Sequence, residues 1–382
     1  MKILFLFLLL PITAFATEYP RARDLGIPFE GQPGVWNAIT DISGVTVGFE
    51  TIVRDLPEKK AVRTGVTAIL PRGEDTNHRP VFGGWFSLNG NGEMTGTTWV
   101  EESGFVEGPI MITNTHSVGA VHEGTIRWRF ENGAADSSGY WWSLPVIAET
   151  WDGYLNDING FHVRPDHASA AIEGAKSGPV AEGNVGGGTA MNCFEYKCGT
   201  GTASRITETA GREYTVGVLV QANFGRRGDL IVAGVPVGEY LQNNMVFSSV
   251  TPQFSGIGSI IIVVGTDAPL LPHQLKRLSR RAALGLSRTG SIASNGSGDI
   301  FISFSTANEV ANQSNSDANI QAISNEDIVP LFAATVQATE EAIINALVSG
   351  RTMTGNRGNT VNSIDHSALR EVLRRHNRLI EN

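Results

Sequence analysis

Seven short runs of β-branched and aliphatic residues recur along the chain, each bounded by turn formers: residues 44–49, 66–70, 109–113, 215–221, 230–235, 259–264 and 300–304. Runs this short and this apolar read as strands buried in a core. Between them, residues 144–155, 167–175, 272–287 and 325–348 carry apolar side chains at helical spacing. The third of these opens at Pro272 and has a basic face; the fourth follows Asn325-Glu326-Asp327 and ends near Gly350, as caps and the helix dipole favour. The last two helices flank the loop at Gly296-Ser297-Gly298. No internal repeat and no long linker divides the chain, so a single α+β domain with helices covering two sheets is expected.

Composition removes several classes of function. The net charge is −9, with both signs mixed along the chain. That leaves no basic stripe of the kind a phosphate backbone requires, and nucleic acid is not an expected partner. The 44 glycines gather in loops such as residues 183–188 and Gly83-Gly84 rather than in a repeat, which excludes a linker or a collagen.

Lys2 precedes a short apolar run from Ile3 to Leu10, and Ala14-Phe15-Ala16 places small residues where a signal peptidase reads them. The run is well short of the ~20 apolar residues that span a bilayer, so it reads as an export signal cut after Ala16. The mature chain, residues 17–382, is expected in the periplasm or outside the cell, with no membrane partner. Two cysteines occur, Cys193 and Cys198. An exported chain permits a short-loop disulfide between them, and buried free thiols are the alternative. A zinc site would need two more ligands, and no metal or cofactor is expected.

No G-x-S-x-G elbow, H-E-x-x-H helix or Walker loop is present, and none of the eight histidines sits in a recognisable triad motif. Gly256-Ile257-Gly258-Ser259 is different, because a glycine loop runs directly into a strong strand with serine at the junction. Glycine lets the backbone twist until the serine hydroxyl can attack the preceding carbonyl, and the strand then holds the freed residue rigidly. Gly-Ser pairs also occur at Gly290-Ser291 and Gly296-Ser297, and composition does not choose among them.

A resemblance does choose. It is carried by Arg21-Ala22-Arg23-Asp24-Leu25-Gly26-Ile27-Pro28, Asn114-Thr115-His116-Ser117-Val118-Gly119, Gly160-Phe161-His162-Val163, Gly186-Gly187-Gly188-Thr189, Val220-Gln221-Ala222-Asn223-Phe224-Gly225, Ala268-Pro269-Leu270-Leu271-Pro272 and Asn295-Gly296-Ser297-Gly298-Asp299-Ile300. Together these segments resemble the family of L-aminopeptidase/D-amidase-esterases and β-peptidyl aminopeptidases, from about Arg21 to about Ala346.

The resemblance implies an α+β, four-layer αββα sandwich similar to that of N-terminal-nucleophile hydrolases. It implies self-cleavage between Gly258 and Ser259 into residues 17–258 and 259–382, which stay together, with Ser259 as the nucleophile. It places the second serine and its acidic partner on Ser297 and Asp299, and an oxyanion donor on Asn223. Some relatives are expected to carry glutamate at the position of Asp299, whose shorter arm suits an orienting group as well as a relay terminus.

Tyr154 is the candidate second oxyanion donor, with Tyr140 as its rival. Glu149, about one helical turn before Tyr154, is the candidate carboxylate for a substrate ammonium, with a solvated helix face as the alternative. The expected activity is release of L-, D- or β-amino residues from short peptides, amides or esters through an acyl-enzyme. Acyl transfer by the same mechanism and a non-catalytic periplasmic binding protein are the alternatives. A homotetramer of processed heterodimers is the expected assembly.

Overall fold

In chain order the main strands are β1 (Thr46–Asp55), β2 (Ala61–Leu70), β3 (Val81–Gly90), β4 (Phe105–Val106), β5 (Ile110–Asn114), β6 (Val146–Thr150), β7 (Asn192–Cys193), β8 (Tyr196–Lys197), β9 (Thr200–Thr209), β10 (Arg212–Asn223), β11 (Gly258–Thr266) and β12 (Ser297–Ser305). The main helices are α1 (Thr97–Ser103), α2 (Val118–Glu131), α3 (Pro165–Glu173), α4 (Val237–Tyr240), α5 (Pro272–Arg288), α6 (Val329–Val348) and α7 (His366–Arg375). This structure, a computed structural model, describes residues 19–135, 137–246, 258–309, 311–312 and 317–381. The expected export signal, its cut after Ala16 and the new start at Thr17 lie outside the described residues, as do residues 254–257 ahead of β11. Among the described residues no helix is long and apolar enough to cross a membrane.

Four strands form one sheet in the order β1-β2-β5-β6, and six form the other in the order β4-β3-β12-β11-β10-β9. Strand alternation turns these into four layers. Ile260, Ile262 and Val264 share a core with Leu275, Leu278 and Leu286 of α5 and with Ile343 and Leu347 of α6. Ile261 and Val263 point the other way, into a core shared with Ile69, Ile110 and Val146 of the four-stranded sheet. The outer face of that sheet buries Val66, Met111 and Ile147 against Val121 of α2 and Ala171 of α3. The result is the expected αββα sandwich.

Close approach of the helices depends on small residues at the contact. A Cβ on Gly201 would lie 2.0 Å from the carbonyl oxygen of Ala342, so α6 can rest on β9 only because that position is glycine. Arg21 and Arg23, in the first resembling segment, turn out to be structural. Arg21 pairs with Glu182 at 2.8 Å, and Arg23 pairs with the fully buried Glu341 of α6 at 2.8 Å.

Three expected elements differ. Residues 144–155 are not a helix: residues 146–150 form β6, parallel to β5. Val146-Ile147-Ala148 is a wholly buried run, and a strand lying between a sheet layer and a helix layer buries both of its faces. Residues 230–235 are not a strand, because Ala233 (φ 51°) and Gly234 (φ 77°) both adopt left-handed backbone and make a two-residue turn closed by Val232 and Val235. The helix expected from Asn325 starts at Val329 instead, since the Asn325 side chain accepts from Gln274 and Arg277 of α5 and stays outside it.

Candidate active site

Ser259 is the second residue of β11, and it is 5% exposed. The five residues that follow it, Ile260 to Val264, are all fully buried. Each such side chain contributes roughly 1.5–3 kcal/mol relative to exposure, so the start of β11 is firmly anchored. The Ser259 hydroxyl donates to the carbonyl oxygen of Gly258 at 2.7 Å and accepts from the amide of Gly298 at 3.2 Å. The nucleophile expected from the sequence therefore lies against the carbonyl of the bond expected to break. Gly258 cannot be another residue here, because a Cβ would sit 2.3 Å from the Asn223 carbonyl oxygen.

Ser297 and Asp299 open β12, the parallel neighbour of β11, in register with Gly258 and Ile260. Ser297 Oγ donates to Asp299 Oδ1 at 2.6 Å. Burial pushes the Asp299 carboxyl up to about 6, against hydrogen bonds from Ser297 and the Ile260 amide. By strand alternation the pair shares the helix-facing side of the sheet with Phe301, while Ser259 shares the inter-sheet side with Ile261 and Val263. The structure thus brings the three residues to one pair of strand ends but on opposite faces, joined through Gly298.

Asn223 ends β10 and is the register partner of Ser259. Its Oδ1 accepts from the amide of Asn192 at 3.0 Å, and its Nδ2 donates to the Trp151 carbonyl at 2.8 Å. An amide nitrogen has two hydrogens, so one N–H remains for an oxyanion while the other contacts fix its direction. Asn192 is held in turn by the β7–β8 hairpin, which the Cys193–Cys198 disulfide closes. Of the two cysteine readings, the disulfide is the one formed. Inside the hairpin the fully buried Lys197 donates from Nζ to the carbonyls of Met191 and Cys198. Burial, reinforced by Arg351, holds its pKa well below the usual lysine range.

Tyr154 and Asn223 line one cavity of about 460 Å³, together with His116, Trp151 and Arg357. Burial raises the Tyr154 pKa, which keeps its hydroxyl a donor. Its rival Tyr140 is 83% exposed, outside this cavity.

A second cavity, about 500 Å³, is lined by Ser259, Glu149, Thr115 and Trp151. Glu149 stands on β6, not on a helix face, and is 3% exposed, so the solvated-helix reading fails. Its carboxylate accepts from the Glu93 amide at 2.9 Å and from Thr115 Oγ1. Burial raises its pKa, opposed by those two hydrogen bonds. Trp151 borders both cavities. Sequence reasoning missed Thr115, Trp151 and Asn192 as parts of the site. Thr115 lies in one of the resembling segments, whereas Trp151 and Asn192 act through backbone groups that no side-chain pattern reports.

Comparison with known proteins agrees with this geometry. Residues 37–361 match peptidase family S58. The chain is 52% identical to a β-peptidyl aminopeptidase of Sphingosinicella microcystinivorans over 96% of this chain and 95% of that one. Among solved structures, it is similar to the L-aminopeptidase D-Ala-esterase/amidase of Ochrobactrum anthropi, described as a variant of the Ntn hydrolase fold, with a TM-score of 0.89 and 47% identity over 94% of this chain and 100% of that one. It is also similar to a Burkholderia sp. β-aminopeptidase, with a TM-score of 0.85 and 44% identity over 93% and 99% of the two chains. The chain belongs to peptidase family S58.

Proposed function

We propose that this protein is a serine aminopeptidase and amidase that releases the N-terminal L-, D- or β-amino residue from short peptides, amides or esters through an acyl-enzyme on Ser259. The observation that carries the proposal is the placement of the Ser259 hydroxyl, 2.7 Å from the Gly258 carbonyl oxygen and directly across from Asn223. In the chain's own processing, Ser259 Oγ adds to the Gly258 carbonyl carbon, and the carbon–nitrogen bond to Ser259 breaks. The ester that forms is opened by water, leaving a Gly258 carboxylate and a free Ser259 amine and hydroxyl.

In turnover the same hydroxyl attacks a substrate carbonyl, and a base must take its proton. The freed α-amine, whose unperturbed pKa is near 8, serves as that base. The Ser297 hydroxyl is already committed to Asp299 on the other face of the sheet, which makes those two residues orienting groups beside the amine. Asn223 Nδ2 and the Tyr154 hydroxyl receive the oxyanion, and Glu149 receives the substrate ammonium. Water then resolves the acyl-enzyme.

The Cys193–Cys198 disulfide supports an oxidising compartment, in keeping with export through the N-terminal signal. Exposed Tyr140, Trp142 and Leu144 offer apolar surface for association of processed copies, which sizing in solution would measure. The activity itself is tested by offering purified protein a panel of α- and β-aminoacyl amides and measuring released amine. Turnover of free-amine substrates and none of their N-acetylated forms is the expected result. No turnover of any member overturns the reading.

A further inference from the structure

Asn223 is held from behind by one peptide unit, that joining Met191 to Asn192. Its N–H, on Asn192, donates to Asn223 Oδ1 at 3.0 Å. Its carbonyl oxygen, on Met191, accepts from Lys197 Nζ at 2.9 Å and from the Cys198 amide at 3.0 Å. A connected series therefore runs from Lys197 Nζ through this peptide and the Asn223 side-chain amide to the N–H left for an oxyanion.

Lys197 is fully buried, and the charge that acts on it is a second cation, Arg351. A buried amine without a carboxylate is costly, and an apolar side chain of similar length fills the same space at less cost. What the amine supplies is N–H donors, to the Met191 carbonyl and to the Cys198 carbonyl at 2.6 Å. Either protonation form of an amine has an N–H to give, so the link to Met191 does not depend on the charge.

Both hydrogen bonds of the series run the same way, each with its donor on the Lys197 side and its acceptor toward the site. Density drawn onto the Met191 oxygen makes the Asn192 N–H a stronger donor, because the two belong to one conjugated amide. The same step repeats in the Asn223 side-chain amide. Bonds in such a chain strengthen one another by roughly 10–30% each. The gain grows with negative charge at the end of the series, so it is largest in the tetrahedral intermediate.

We propose that Lys197 is a positioning residue for the oxyanion hole: through the Met191–Asn192 peptide it orients and polarises Asn223, without touching substrate. The inference rests on the donor role proposed for Asn223 in the aminopeptidase reading.

Lys197→Met keeps the length of the side chain and removes its donors, whereas Lys197→Gln keeps an N–H on a shorter arm. With an aminoacyl amide that the enzyme accepts, Lys197→Met is expected to lower kcat roughly tenfold with KM little changed, and Lys197→Gln to lose less. An aminoalkyl boronic acid, which forms a charged tetrahedral adduct with a serine hydroxyl, is expected to bind Lys197→Met more weakly by a similar factor. The released amino acid, which carries no tetrahedral oxyanion, binds both proteins alike. In an Asn223→Ala background Lys197→Met costs almost nothing further. The unaltered protein gives a readout that needs no variant to fold: with asparagine labelled by nitrogen-15, the Asn192 amide proton moves downfield when the boronate adduct forms. An unmoved Asn192 resonance, equal weakening of boronate and product, or a loss that adds in full to that of Asn223→Ala overturns the role of Lys197 alone. Normal turnover by Asn223→Ala overturns the donor role beneath it, and failure of the unaltered enzyme on every aminoacyl amide overturns the aminopeptidase reading.

Discussion

Asn223 and Ser259 are register partners at the ends of two antiparallel strands, so the proposed oxyanion donor and the proposed nucleophile are held by one ladder. Both of the donor's amide ends are in use, leaving one N–H directed at the site. Asn223→Ala removes that donor and is expected to lower kcat on the order of a hundredfold or more, about 3 kcal/mol, with the fold intact by circular dichroism. An effect confined to KM would make Asn223 a binding residue instead.

The disulfide hairpin acts on this donor from behind. Asn192 gives its amide to Asn223 Oδ1 and is tied to the hairpin closed by Cys193 and Cys198. Replacing both cysteines by alanine, or reducing them, loosens Asn223 and is expected to cost kcat roughly tenfold while KM changes little. In an Asn223→Ala background the same replacement has almost nothing left to remove, and the two losses do not add. Fully additive losses would mean that the hairpin supports the fold but not the donor.

Much of this arrangement was legible in the sequence, for identifiable reasons. Residues 259–264 are so uniformly apolar that only a strand buried on both faces suits them, and Gly258-Ser259 marks where that strand begins. The α5 helix was legible from Pro272 and its basic face. Residues 144–155 misled because a short buried run looks the same to a helix as to a strand. The turn at Ala233-Gly234 was hidden by the valines around it. The face on which Ser297 and Asp299 lie depends on register with β11, a long-range property that no local pattern contains.

The Asp299 carboxyl gives the activity a pH signature. Folding raises its pKa from 3.8 to about 6, so between those values the native chain keeps a proton that the unfolded chain has released. Stability therefore falls as pH rises through that window. Activity moves the opposite way, because the charged carboxylate accepts the Ser297 hydroxyl more strongly than the protonated acid does. The acid side of the kcat/KM profile is expected to show an ionisation near 6, absent in Asp299→Asn, in addition to that of the α-amine. If Asp299→Asn leaves the profile unchanged, Asp299 has no part in orienting the site.

The central claim is that one side chain both cuts the chain and performs the chemistry, and Ser259→Ala tests it most directly. Mass spectrometry of the purified variant, beside an assay on aminoacyl amides, reads both functions at once. Alanine leaves nothing at that position to attack the Gly258 carbonyl, so a single uncut and inactive chain is predicted. Ser259→Cys, which retains a nucleophile, should still be cut in part. A Ser259→Ala chain still severed between residues 258 and 259, or an uncut one that hydrolyses amides at the normal rate, would contradict the account.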